Sequence, residues 1–190
     1  MQEIITPRLS LRLMTEDFLK ACLLEDRAKS DALIGLRVSH DWIEEKDLMR
    51  LRMEEYRTDF KYVSWGLHAV GLRESLEMVG FIGFHTRPNP DYLQTVAPNA
   101  IEFGYTIFLP HRRQGFAEEA IGGMLNWAVK RHPLDNFIAS VSPTNLPSTA
   151  LVKKLGFQKI GEQIDEVDGL EFVYSLAVGK LNSLSSKICL

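Results

Sequence analysis

Cysteine is almost missing from this chain. Cys22 and Cys189 are the only two in 190 residues, far apart and without metal-ligand spacing, so neither a disulfide scaffold nor a zinc cluster fits and a reducing, cytoplasmic setting is expected. The five histidines (His40, His68, His85, His111 and His132) also lack metal spacing and form no triad with a nucleophile, so no metal is expected. No apolar run reaches the roughly 20 residues that a membrane helix needs. Met1-Gln2-Glu3 opens without the basic-then-apolar pattern of a secretory leader. Positive charge is not in excess: 22 Lys and Arg face 25 Asp and Glu, and a net charge of −3 argues against a general nucleic-acid binder. A G-x-x-x-x-G-K-[ST] motif is absent, which removes the mononucleotide P-loop reading. Internal repeats and a domain linker are missing too. The expectation is one domain over residues 1–180, with a frayed tail at 181–190 and neither membrane nor nucleic acid as partner.

What is present is an alternation of strand-like and helix-like segments. Ile4 to Leu13 predicts a strand, with Leu9, Leu11 and Leu13 on one face and Arg8, Ser10 and Arg12 on the other. Thr15-Glu16-Asp17 predicts a helix start for Phe18 to Asp26. Asp31 to His40 is ambiguous. Asp41-Trp42-Ile43-Glu44 has capping-box spacing ahead of a long charged helix to about Phe60. Ser64 to Val70 and Met78 to His85 are strands around a loop at Gly71 to Glu77, and the proline-containing Arg87 to Pro98 is a loop. Ala100 to Leu109 is a strand, Phe116 to Lys130 a helix and Phe137 to Val141 a short buried strand. Pro147 to Leu155 is a helix with proline in its first turn and Gly156 at its exit; Phe157 to Ile164 and Glu171 to Val178 form a last hairpin around Asp168-Gly169. The sum is an α+β chain: a mixed, mostly antiparallel sheet with helices on both faces.

One segment carries chemistry. Arg112-Arg113-Gln114-Gly115-Phe116-Ala117 lies between a strand and a helix. A helix start offers unpaired N–H groups and partial positive charge to an anion. Gly115 has no Cβ to keep the backbone away, Ala117 is small, and the two arginines add full charges. The plain alternative is a surface turn.

This R-x-x-G-x-A loop resembles the acyl-CoA pyrophosphate loop of the GNAT N-acyltransferases. Thr6-Pro7-Arg8-Leu9-Ser10-Leu11-Arg12 is similar to the opening of the ribosomal-protein-alanine N-acetyltransferase (RimJ/RimL-like) branch, as is Gly115-Phe116-Ala117-Glu118-Glu119-Ala120. Asn145-Leu146-Pro147-Ser148, followed by Leu155-Gly156-Phe157, resembles that branch's second CoA-contacting helix and exit. The resemblance spans about residues 4–178. It implies a V-shaped CoA cleft between two central strands and acetyl-CoA as cosubstrate. Backbone from Gln114 to Ala117 would hold the pyrophosphate, and a main-chain N–H near Ile107 or Phe108 would polarise the thioester carbonyl. Asn145 would touch CoA and Ser148 would meet its sulfur, Val152 standing where many relatives have a tyrosine. Glu119, usual in the branch, reads as structural. Lys153, Lys154 and Lys159 could meet a ribose phosphate, or be a solvated face.

Amide formation needs a neutral amine. An alkylamine with a pKa of ~10.4 must lose about 4–5 kcal/mol to be neutral at pH 7, an α-amine with a pKa of ~8 only about 1–1.5 kcal/mol. Glu102, on the strand before the loop, is the candidate base, directly or through water; its alternative is an ion pair with an arginine of the opening strand. Asp165 and Glu166 are the other carboxylates in view, and His85 ends a strand expected near the acceptor. Glu162, Asp165, Glu166, Asp168 and Glu171, with Glu44, Glu45, Glu54 and Glu55, could form an acidic rim for a cationic amine or simply aid solubility. The expected activity is direct acetyl transfer to a protein N-terminal α-amine or a small amine, by a monomer or homodimer. The alternative is a CoA-binding module that has lost turnover.

Overall fold

The computed structural model of the chain describes residues 3–165 and 169–181. Fourteen elements follow in chain order: β1 (Glu3–Ile5), β2 (Leu9–Leu13), α1 (Glu16–Leu23), α2 (Arg27–Ile34), α3 (His40–Ile43), α4 (Lys46–Thr58), β3 (His68–Leu72), β4 (Met78–Phe84), β5 (Ala100–Ile107), α5 (Phe116–Val129), β6 (Asn136–Val141), α6 (Leu146–Lys154), β7 (Gln158–Asp165) and β8 (Gly169–Ala177). The strand order is β1-β2-β3-β4-β5-β6-β8-β7. The expected α+β class with a mixed, mostly antiparallel sheet is what forms: β5 and β6 are parallel, whereas β1 to β4 and β6 to β8 pair antiparallel. Among the described residues, no helix is long and apolar enough to cross a membrane.

Two compact units are distinguishable. The first comprises Met1–Phe84 and Tyr105–Met124. The expected single strand from Ile4 to Leu13 is here a hairpin, Ile4 facing Leu11, because Thr6 turns the chain: its N–H reaches Leu9 O at 3.0 Å and its hydroxyl accepts from Leu9 N at 3.1 Å. The ambiguous stretch from Asp31 to His40 begins inside α2, which is capped by the Asp26 carboxylate on Lys29 N at 3.1 Å and ended by Gly35 at φ 69°. The single long helix expected from Asp41 is split into α3 and α4, and the cap of α3 is Ser39, whose hydroxyl accepts from Asp41 N at 3.2 Å. Trp42, Phe18, Met14, Phe81 and Phe108 belong to this unit's core, with Trp42 stacked on Phe18 at 6.4 Å. Each such fully buried side chain contributes about 1.5–3 kcal/mol. Cys22 lies in the same core, and burial pushes its thiol up to about 11, which leaves it protonated and inert.

The second unit comprises His85–Gly104 and Leu125–Leu190. Its strands pair β5-β6-β8-β7, with Glu102 opposite Ile138, Ser140 opposite Val173 and Gln163 opposite Glu171. Leu93, Ala97, Ala100, Ile138 and Val173 pack as a core beneath them. The last hairpin falls where expected, although Glu166 and Asp168 lie outside the described residues.

Candidate active site

The loop between β5 and α5 is where the sequence expects an anion to bind. Arg113 and Gly115 are both left-handed, at φ 64° and 81°, and α5 begins at Phe116. Alternating left-handed residues are a backbone form in which successive N–H groups converge on an anion, and the helix start adds its dipole. Arg112, Arg113, Gln114 and Gly115 are exposed, whereas Phe116 is buried and anchors the helix. The two arginines differ. Arg112 donates its Nε to Ile107 O at 2.8 Å, tying the loop to the end of β5. Arg113 sits at the left-handed turn itself. Of the two proposed carbonyl-polarising positions, Phe108 already gives its N–H to Val79 O at 2.9 Å. That leaves Ile107 as the position to consider.

The loop is braced from behind. Arg8, following the β1 turn, donates to Gln114 O at 3.0 Å and lies over the Phe116 ring at 4.7 Å. Its Nε and its main-chain N–H both reach the Glu119 carboxylate at 2.7 Å, and the Thr6 hydroxyl donates there at 2.6 Å. Burial would raise the Glu119 carboxyl, but these donors outweigh it and hold the carboxyl below its ordinary range.

In the second unit a cavity of about 360 Å³ is lined by His85, Tyr92, Glu102, Gln163, Ile164, Asp165 and Glu171. Glu102 is buried in its wall. Its Oε1 accepts from Ser140 Oγ at 2.5 Å and its Oε2 from Tyr92 OH at 2.9 Å. Ser140 in turn accepts from Gln163 Nε2 at 3.1 Å, and the same amide donates to Glu171 Oε2 at 3.0 Å. The His85 ring stands 3.8 Å from Glu102 Oε2, within ionic reach. The partners of Glu102 are thus two hydroxyls and an imidazole. Of the opening-segment arginines that the sequence offered it, Arg8 pairs with Glu119 and Arg12 with Glu3.

Asn145 caps α6: its Oδ1 accepts from Ser148 N at 3.1 Å. Gly156, at φ 85°, ends the helix as expected. Ser148 is half-buried in the first turn, and Val152 is fully buried. Lys159 lies over the Phe172 ring and donates to Glu162 at 2.7 Å, which favours the solvated-face reading for that lysine.

Sequence reasoning missed Tyr92, Ser140 and Gln163. The one signal that would have found Ser140 is register: β5 pairs with β6 at Glu102–Ile138, so Ser140, two residues on, shares a face with the carboxylate. That pairing is not local in sequence.

Compared with known proteins, residues 8–158 match the family model of the acetyltransferase (GNAT) domain. The chain is 32% identical over 99 residues to the uncharacterized N-acetyltransferase YoaA of Bacillus subtilis (strain 168), a match covering 52% of this chain and 50% of that protein. The chain thus spans about half the length of this curated relative. The uncharacterized N-acetyltransferase p20 of Bacillus licheniformis is 25% identical over 166 residues, 85% of each chain. Among solved structures, a putative ribosomal-protein-serine acetyltransferase from Vibrio cholerae superposes with a TM-score of 0.62 at 22% identity, covering 93% of this chain and 97% of that one. The ribosomal L7/L12 α-N-protein acetyltransferase RimL, solved with coenzyme A, does so with a TM-score of 0.61 at 16% identity, covering 93% and 98%.

Proposed function

Because this chain belongs to the GNAT acetyltransferase family, we propose that it transfers the acetyl group of acetyl-CoA to a primary amine by direct attack in a ternary complex. The single observation that carries the reading is Glu102: a buried carboxylate held by Ser140 and Tyr92 in the wall of a polar cavity. Burial of a carboxylate is costly, the two hydroxyls offset that cost, and a carboxylate so held beside a polar cavity can serve in removing an amine proton.

The residues fit the cosubstrate. Backbone from Gln114 to Ala117 would hold the pyrophosphate, with Arg113 adding charge. By the family resemblance, Ile107 N–H would polarise the thioester carbonyl, Asn145 would contact CoA and Ser148 would meet its sulfur. The thiolate is a good leaving group, since thiol pKa values lie near ~8.5, so Ser148 assists without being decisive.

For the acceptor we favour a protein N-terminal α-amine, with small amines second. An α-amine needs about 3 kcal/mol less to become neutral than an alkylamine, by the difference of their ordinary pKa values. Asp165 and Glu171, lining the same cavity as Glu102, would draw in the protonated form before it loses its proton. RimL, named for α-N-acetylation of a ribosomal protein, supports the same choice.

The test is free-thiol release from acetyl-CoA across a panel of N-terminal peptides and small amines, alongside calorimetry with acetyl-CoA. Release that depends on the amine is expected. Glu102→Gln should lower kcat by about 10²–10⁴ while leaving acetyl-CoA affinity within twofold. Binding without release for any acceptor would leave a CoA-binding module; absence of heat with both CoA and acetyl-CoA would end the CoA reading.

A further inference from the structure

We infer that His85 and Glu102 work as one proton-accepting pair, in which His85 takes the proton of the amine and Glu102 orients the imidazole and balances its charge. This rests on the acetyl-transfer reading above and refines the part that Glu102 plays in it.

The geometry comes first. Each Glu102 oxygen already accepts a short hydrogen bond, from Ser140 or from Tyr92, and the residue is 4% exposed. The carboxylate is well anchored and poorly presented. His85 has the opposite character. Its side chain is 42% exposed, it lines the cavity, and its Nδ1 stands 3.8 Å from Glu102 Oε2. Main-chain pairing keeps the two residues in register, for His85 N–H donates to Glu102 O at 2.9 Å. The third element is Gly104, two residues along β5. A Cβ added there would come within 2.8 Å of His85 Nε2. The ring therefore lies between the Glu102 carboxylate on one side and Gly104 on the other, where a side chain would make the ring move.

The chemistry agrees. An imidazole with an ordinary pKa of ~6.5 is a better match to an amine proton at neutral pH than a carboxylate at ~4.3. A proton on Nδ1 would face Glu102 Oε2 across 3.8 Å and would make the Nε2 lone pair the basic site. The other charged groups lining the cavity, Asp165 and Glu171, also favour the imidazolium, whereas Tyr92 and Gln163 are neutral.

The step balances. A neutral amine attacks the thioester carbonyl carbon, forming the C–N bond. The nitrogen's extra proton passes to His85 Nε2. Collapse of the tetrahedral adduct breaks the C–S bond, and the electron pair leaves on the CoA sulfur, which is protonated from solvent or by Ser148. The imidazolium then gives its proton to water.

The experiment uses the whole chain, with folding checked by circular dichroism. In protein labelled at histidine, the imidazole resonances are titrated by NMR in wild type, Glu102→Gln and Gly104→Ala, and His85→Asn identifies the signal. Loss of the facing carboxylate charge should move the His85 titration to lower pH. In thiol-release assays His85→Asn should lower kcat by at least about 100-fold and remove one ionisation from the rising limb of the kcat–pH profile, with acetyl-CoA affinity within twofold. Gly104→Ala should lower kcat about tenfold and shift the His85 resonances, because the ring has to move. Identical His85 titration in wild type and Glu102→Gln overturns the pairing. Near-wild-type kcat in His85→Asn overturns the base assignment and leaves acetyl transfer through Glu102 standing. Wild-type protein that binds acetyl-CoA yet releases no thiol with any amine overturns the transfer reading itself, and with it the role of His85, even where the titration reveals a pair.

Discussion

Glu119, on the first turn of α5, accepts both the main-chain N–H and the guanidinium Nε of Arg8 at 2.7 Å, across 111 residues of sequence. The same arginine reaches forward to Gln114 O at 3.0 Å. One buried carboxylate thus holds the side chain that braces the loop between β5 and α5. An acid at a helix start also suits the dipole, which adds to the donors that offset the burial of its charge.

Replacing Glu119 by Gln should destabilise the protein by about 2–3 kcal/mol, the worth of hydrogen bonds to a charged group discounted for the half-exposed arginine. Urea denaturation at pH 7 measures it. The pH dependence has a definite sign. A carboxyl held below its ordinary value contributes stability that is complete above the unfolded-state pKa of about 4.3 and is lost as pH falls through the lower folded-state value. The gap between wild type and Glu119→Gln should therefore close below about pH 4. A gap that is constant with pH would show that the charge of Glu119 is not what the fold uses.

Arg113 is an L-residue at φ 64°, a conformation that costs roughly 1 kcal/mol relative to glycine. Arg113→Gly should raise the Tm of the free protein by about 2–4 °C. If the guanidinium serves the phosphates, the same variant should bind acetyl-CoA about five- to tenfold more weakly, as calorimetry would record. A gain in stability with unchanged affinity would reduce Arg113 to a turn residue.

Asn145 is the N-cap of α6 through its bond to Ser148 N. Asn145→Ala should cost about 1 kcal/mol and lower the Tm by about 2–4 °C. Asn145→Asp keeps the cap and should restore stability, yet its negative charge should weaken acetyl-CoA binding. Stability and affinity that move together in both variants would mean that capping is the whole of its role.

The features readable before folding were those written in neighbouring residues. The strand, basic turn and helix start around Arg112 to Ala117 needed only local patterns, and so did the proline at the start and the glycine at the end of α6. Apolar runs marked Met78 to His85, Ala100 to Leu109 and Phe137 to Val141 as strands, and they form β4, β5 and β6. The errors were local too. Thr6 looks like any strand residue until its hydroxyl and N–H close a turn on Leu9, and Ser39 competes with Asp41 for a cap through one hydrogen bond.

The partners of charged groups were decided elsewhere. The sequence left Glu102 either a base or the partner of an arginine of the opening strand and left Glu119 structural, and residue type cannot say which carboxylate such an arginine meets. Folding gave Arg8 to Glu119, and gave Glu102 the hydroxyls of Tyr92 and Ser140 and the ring of His85. Strand register made that choice: a side chain 38 residues away meets Glu102 because β6 runs parallel to β5 with Ile138 opposite the carboxylate. Composition and spacing carry the preferences of each segment, since these act over a few residues. A buried proton site depends on which strands become neighbours, and that is settled only when the whole sheet assembles.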